Sequence, residues 1–161
     1  MRSLRIAVVA CVALGCGEPS PRCEPPEDGS VRMPEGMLEL GERDGSVFVP
    51  FADDGEATLV LGTQGGWMVL LSCELPRPLG PRECYTIEVG AELDAERLAP
   101  LTLRGLGPDA DGSVPPVRVL LGFDDERLIG RTLSLRVRVT TPTWVADGEV
   151  RDVLLRASDS P

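Results

Sequence analysis

From Thr132 to Thr140 apolar and polar residues alternate without a break, with Leu133, Leu135, Val137 and Val139 set against Ser134, Arg136 and Arg138. Side chains of an extended chain point to opposite faces in turn, so this stretch predicts a strand with one dry face and one wet face. Shorter alternating or apolar runs recur at 37–40, 46–51, 57–62, 67–73, 84–89, 101–104, 117–122 and 149–156. Asp44-Gly45, Asp54-Gly55, Asp111-Gly112 and Asp147-Gly148 fall between them, dipeptides that tolerate positive φ and so mark turns. In the one helical candidate, 91–99, Leu93 and Leu98 do not complete an apolar stripe, and Pro100 stops it. Short strands at this spacing predict an all-β fold, an antiparallel two-sheet β-sandwich of eight or nine strands.

The first thirty residues follow a different rule. Arg2 and Arg5 precede a nearly unbroken apolar run at 6–14, and the small residue Gly15 stands before Cys16. Basic start, apolar middle and small residue, in that order, are the layout of a secretory signal peptide over 1–15. A spanning helix needs roughly 20 apolar residues, more than this run supplies before Gly17 and Glu18. Ala13-Leu14-Gly15-Cys16 resembles the lipobox of bacterial lipoproteins, which implies cleavage before Cys16 and lipidation of its sulfur. The family prefers leucine where Ala13 stands, and Ala13-x-Gly15 also fits an ordinary signal-peptidase site that would release a soluble secreted protein. Val8-Val9-Ala10-Cys11 matches the motif more closely but leaves too short an apolar run ahead of it, against the roughly 7 to 15 residues usual there. Gly17, rather than Asp, after Cys16 implies by the same resemblance an outer-membrane address. Residues 16–30 carry Pro19, Pro21, Pro25 and Pro26 among Glu18, Glu24, Glu27 and Asp28, a composition that stays extended and reads as a tether. Residues 31–161 follow as a single domain, whose core must be mainly Leu and Val because aromatics make up only 4% of the chain.

Leu128-Ile129-Gly130-Arg131-Thr132, the alternating strand after it and the Asp147-Gly148 turn resemble the penultimate strand and final hairpin of immunoglobulin-like sandwiches. The likeness lacks the Cys, Trp, Cys spacing of antibody domains, so it implies architecture alone.

Charge narrows the classes of partner. Residues 16–161 retain 14 arginines against all 26 acids, a net charge of −12. The arginines are scattered among carboxylates, without the cationic clustering that nucleic acid requires. An acidic surface is also repelled by anionic headgroups, so the membrane is expected to be held through the lipid on Cys16.

The chain has no histidine, which removes Ser-His-Asp and Cys-His catalysis together with the commonest transition-metal ligand. No catalytic residue and no cofactor is expected. Cys73 and Cys84 flank a loop with Pro76, Pro78 and Pro81 and are expected to form a disulfide across a hairpin; the alternative pairs Cys23 with one of them and pins the tether to the domain. Acidic residues gather at Asp53-Asp54, at Asp109 and Asp111, and at Asp124-Asp125-Glu126. Asp109 and Asp111 look like a fragment of a calcium loop without its third acid or distal glutamate, so turn duty outweighs metal binding. Gln64-Gly65-Gly66 reads as a hairpin turn, since a phosphate cradle would need a helix after the glycines and a strand follows.

After that turn, Trp67, Val69 and Leu71 share one face and Met68 and Leu70 the other. A sandwich strand normally buries one face, so the second is either covered by the tether or a loop, the favoured reading, or open to a partner. Trp67, Met68 and Leu70 are the candidate interaction patch. The sequence thus leads to a non-enzymatic, lipid-anchored cell-envelope protein acting as an interaction or structural module, through its loops and the strand after Gly66, with an envelope protein as the partner considered. The alternative is a module binding carbohydrate or calcium through its acidic loops.

Overall fold

A computed structural model describes residues 33–63, 65–122 and 127–158. The signal segment with Cys11 and Cys16, the tether with Cys23, Gln64 and the cluster Asp124-Asp125-Glu126 lie outside the described residues. The described chain is all-β: β1 (Met33–Met37), β2 (Glu39–Asp44), β3 (Val47–Pro50), β4 (Glu56–Leu61), β5 (Trp67–Glu74), β6 (Tyr85–Leu93), β7 (Glu96–Arg97), β8 (Leu101–Leu106), β9 (Val117–Gly122), β10 (Thr132–Thr140) and β11 (Trp144–Ala157). Every segment expected to be a strand lies on one except 37–40, which straddles the break at Leu38 between β1 and β2.

Hydrogen bonds link the strands in the order β3-β2-β5-β4-β11-β10-β6-β7, with β1 beside β11, β8 beside β6 and β9 beside β5. Pairing is antiparallel except at β11, whose first half takes β1 and whose second half takes β4 in parallel. One long strand thereby serves as a spine with two different neighbours along one edge.

The alternation in β10 works as its sequence dictates: Leu133, Leu135, Val137 and Val139 are buried, and so are Tyr85, Ile87, Val89, Ala91 and Leu93 on the neighbouring β6. In β11 the inward set runs Trp144, Ala146, Gly148, Val150 and then changes parity to Val153 and Leu155. A bulge makes the change, because Leu133 pairs with Val153 but Leu135 pairs with Val150. Asp152 takes φ 54 there, and its N–H donates to Ser134 Oγ at 3.1 Å. Val69, Leu71 and Cys73 of β5, Val117 and Val119 of β9, Ala57 and Leu59 of β4 and Leu40 of β2 complete the same core.

Three expectations are corrected. Asp147 and Gly148 lie inside β11 rather than in a turn, and the chain reverses at 141–143 instead. Gly148 is required by close approach: a Cβ there would stand 2.8 Å from the Leu38 Cβ and carbonyl oxygen. The segment 91–99 is not helical; it ends β6, turns at Asp94 and Ala95 with φ 48 and 66, and returns as β7. Two left-handed residues in succession make the tight hairpin turn whose twist matches that of its strands. Asp94 holds it by accepting from the Thr132 N–H at 2.8 Å and from Arg131 Nε at 2.6 Å. Finally, the strands among the described residues number eleven, since the fringe pieces β1 and β7 carry no readable alternation of their own.

Candidate functional site

The two outer faces of the β-structure differ in kind. Across the middle of β6, β10 and β11 the outward positions carry interleaved arginines and carboxylates. Register places Arg138 between Asp147 and Glu88, and Arg136 between Glu149 and Gly90. Arg138 donates to both Asp147 carboxylate oxygens at 2.7 and 3.2 Å, Arg136 lies 3.3 Å from Glu149, and Arg151 donates to Glu149 at 2.7 Å. The hydrogen bond from Arg151, followed by that from Arg136, holds the Glu149 carboxyl below the usual range, and bonding to Asp147 raises Arg138 further. A shallow depression of about 870 Å³ lies over Gly90, walled by Met37, Leu101, Arg136 and Arg138. Its charged groups already answer one another, so the face is self-satisfied.

Across β4, β5 and β9 the outward positions include a group of apolar residues, flanked by polar ones such as Thr58 and Arg118. Val60, Met68 and Leu120 stand side by side in register, and Leu70 lies opposite Arg118 in the next row. Leu120 is 53% exposed, while Val60, Met68 and Leu70 are half-buried. Met68 owes part of its cover to its own hairpin, because its Cε occupies the space a side chain on Gly62 would need. At the far end of the strip Glu42 accepts from the Thr58 N–H and Oγ1, both at 3.1 Å, closing the seam between β2 and β4. Beyond Leu70, outward-facing Ser72 is 2% exposed and its Oγ has no hydrogen-bond partner among the described residues.

Of the three residues singled out from sequence, Met68 and Leu70 lie on this strip and Trp67 does not. Trp67 packs partly against the core, on the same side as Val69 and Leu71. Val60 and Leu120 are the members sequence reading missed. Their signal was present in the alternation of 57–62 and 117–122, but which strands flank β5 is a matter of topology.

The expected Cys73–Cys84 bridge is not formed. Cys73 is a free thiol, 4% exposed, that faces the core, and burial pushes it up to about 12. Cys84 is instead half-buried at the foot of β6. An inward position on β5 and a loop position before β6 do not oppose each other as hairpin partners would. Tyr85, also raised to about 12, owes this to burial and then to Asp109 and Cys73.

The acidic turns have local work. Asp111 accepts from the Ser113 N–H at 3.0 Å while Gly112 takes φ 80, and the Asp109 carbonyl oxygen accepts from Gly112 at 2.9 Å. Asp53 accepts from the Arg151 N–H at 2.9 Å. Among the described residues no three Asp, Glu, Cys or His side chains converge on a point that could hold a metal ion.

A polar cluster closes the end of the sheet where β10 turns into β11. Trp144 is wholly buried, and its indole N–H donates to Glu83 Oε1 at 3.0 Å. Arg77 stacks 5.4 Å from the Trp144 ring centre and lies 3.7 Å from Glu35 and 3.8 Å from Glu83. Glu83 also accepts from the Gly80 N–H at 3.1 Å. Each group is accounted for by another, so the cluster fastens the 75–84 loop to β1 and β11. No protein-family model, curated protein or solved structure matches this chain.

Proposed function

We propose that the protein is an exported, non-enzymatic module of the cell envelope, lipid-anchored through Cys16, that docks a partner protein on the outer face of β4, β5 and β9. The observation that carries this reading is the apolar row Val60, Met68 and Leu120 with Leu70 beside it, on a chain whose other sheet face carries interleaved ion pairs. Apolar side chains grouped on the outside of a sheet gain free energy when another surface removes them from water. A second copy is disfavoured as the occupant by a net charge of −12 on residues 16–161, and anionic lipid by the same charge. A protein partner with an apolar patch fits. Absence of histidine and the local employment of the acids support a role without catalysis.

We read the architecture as an immunoglobulin-like sandwich, β1-β11-β10-β6-β8 forming one layer and β2-β5-β9 the other, with β4 joining their edges. The shared core between the inward faces of β10 and β5 supports this reading.

Export is the first thing to verify: mass spectrometry of the mature N-terminus is expected to find a chain starting at lipid-modified Cys16, and an unmodified Cys16 would remove the anchor. For the docking face, Met68→Ala and Leu70→Ala in the exported chain are expected to abolish co-purification of an envelope partner while leaving the melting curve nearly unchanged. Retention of the partner by both variants would contradict the assignment.

A further inference from the structure

We propose that the free edge of β9 accepts an extended segment of a partner protein, apolar and carrying one carboxylate, which adds to the sheet as a further strand. β9 pairs with β5 on one side and with no described strand on the other, and β8 likewise has only β6. Along an antiparallel strand alternate residues turn both N–H and C=O toward the same side, so half of those in β9 face away from β5. None of these groups has a partner among the described residues. Open edges are usually covered or charged. Along 117–120, where pairing with β5 is regular, Arg118 is the one charge.

A crevice of about 360 Å³ lies along this edge. Arg118, Val119 and Leu120 all line it, and consecutive strand residues point to opposite faces, so the crevice follows the edge of β9 rather than either face. Its floor is the buried Val89, Ala91 and Val119, and its rim the exposed Ala99 and Leu120. Unpaired backbone beside an apolar slot is what an added strand uses, the first for affinity and the second for choice of side chain. Charge selects the occupant. Arg118 stands outward opposite Leu70 and makes no hydrogen bond or ion pair among the described residues. An antiparallel strand on β9 sets three successive residues opposite Leu120, Val119 and Arg118, pointing outward, into the slot and outward again. Two apolar residues followed by Asp or Glu answer them in turn. A second copy pairing through β9 brings no acid, because 117–122 contains none, and with Val119 on the two-fold axis Arg118 faces Leu120. The existence of a partner rests on the docking reading above; the edge chemistry does not.

Fluorescence anisotropy of the labelled peptide Thr-Leu-Val-Glu-Val-Thr against the purified chain tests the edge. Saturable binding is expected, weakened about fivefold when Gln replaces the peptide's Glu, as for an exposed ion pair, and further when Arg118→Glu sets like charges together. The Arg118→Glu chain is expected to recover with a peptide in which Arg replaces Glu. Ala99→Trp, which fills the slot from its exposed rim, is expected to weaken binding of the original peptide. Hydrogen exchange reads the geometry: amides within 117–122 are expected to gain protection when the peptide is added. If Met68→Ala loses an envelope partner yet the wild type binds no peptide, the docking face stands and the edge proposal falls; peptide binding with no partner found upholds the edge and strikes the docking reading. No saturable binding, a charge swap that fails to restore it, or 117–122 already protected in the free chain by a second copy or another part of the chain would overturn the proposal.

Discussion

The two outer faces are built by the same alternation yet end in opposite chemistry. On β10 every second residue is Arg or a small polar residue, and the neighbours β11 and β6 present carboxylates in register, so charge is neutralised within the sheet. On β5 the outward residues include Met68 and Leu70, and the neighbours set Val60 and Leu120 beside Met68 and Arg118 beside Leu70. A strand's inward face is dictated by the core, but its outward face is free to vary. The docking reading proposed above takes the difference between the faces as a sign of use rather than of folding. Exposed ion pairs of the ladder kind contribute little stability each, typically up to about 1 kcal/mol, so their dense arrangement serves mainly to keep that surface soluble and unattractive to apolar partners.

The comparison can be broken first at β5 itself, by substituting adjacent residues on its two faces. Leu71→Ala is expected to cost about 2–5 kcal/mol, because Leu71 has no exposure and its loss leaves a cavity. Leu70→Gln, one residue away, is expected to stay within about 0.5 kcal/mol, since it exchanges a half-buried outer side chain. Urea denaturation of the two variants checks this; equal losses would mean that the outer face is core. Behind the ladder, Gly148→Ala is expected to cost about 1–3 kcal/mol by forcing a methyl group against Leu38. An unchanged denaturation midpoint would show that β2 can draw away from β11.

Ladder substitutions should do less. Arg138→Ala is expected to change stability by less than about 1 kcal/mol, with the difference fading at high salt, because Arg138 and Asp147 are 55% and 58% exposed. A loss that persists in 1 M salt, a concentration that leaves a Debye length of only about 3 Å, would make the ladder structural. The smallest effect is a pH dependence at the β6–β7 turn. Hydrogen bonds from the Thr132 N–H and then Arg131 hold the Asp94 carboxyl below the usual range. A lowered carboxylate contributes stability above its unfolded value, about 3.9, and loses it as pH falls through the folded value. The gap in denaturation midpoint between the wild type and Asp94→Asn is therefore expected to be open at pH 6 and to close below about pH 4. A gap constant throughout would show that the charge on Asp94 does not hold the turn.

Periodicity made the strands legible, and the turn chemistry of Asp44-Gly45 and Asp111-Gly112 made their limits legible. It misled at Asp147-Gly148, where the same dipeptide answers to two other demands, an ion pair with Arg138 and close passage of Leu38. The segment 91–99 misled for a related reason: too short to show a period, it was decided by the left-handed turn that Arg131 and Thr132 impose on Asp94, partners far along the chain. Half of the strip was readable, because Met68 and Leu70 stand out within one strand. The other half was not, because Val60 and Leu120 become its members only through pairing. Cys73 carried no local sign that it faces inward rather than across a hairpin.

The most direct test of the two-face account is photo-crosslinking in living cells, with the reactive group placed at Leu120 in one variant and at Glu88, on the ladder, in another. The account predicts a discrete protein adduct from Leu120, lost when Met68→Glu is added, and none from Glu88. Adducts of similar yield from both positions, or from Glu88 alone, would contradict it.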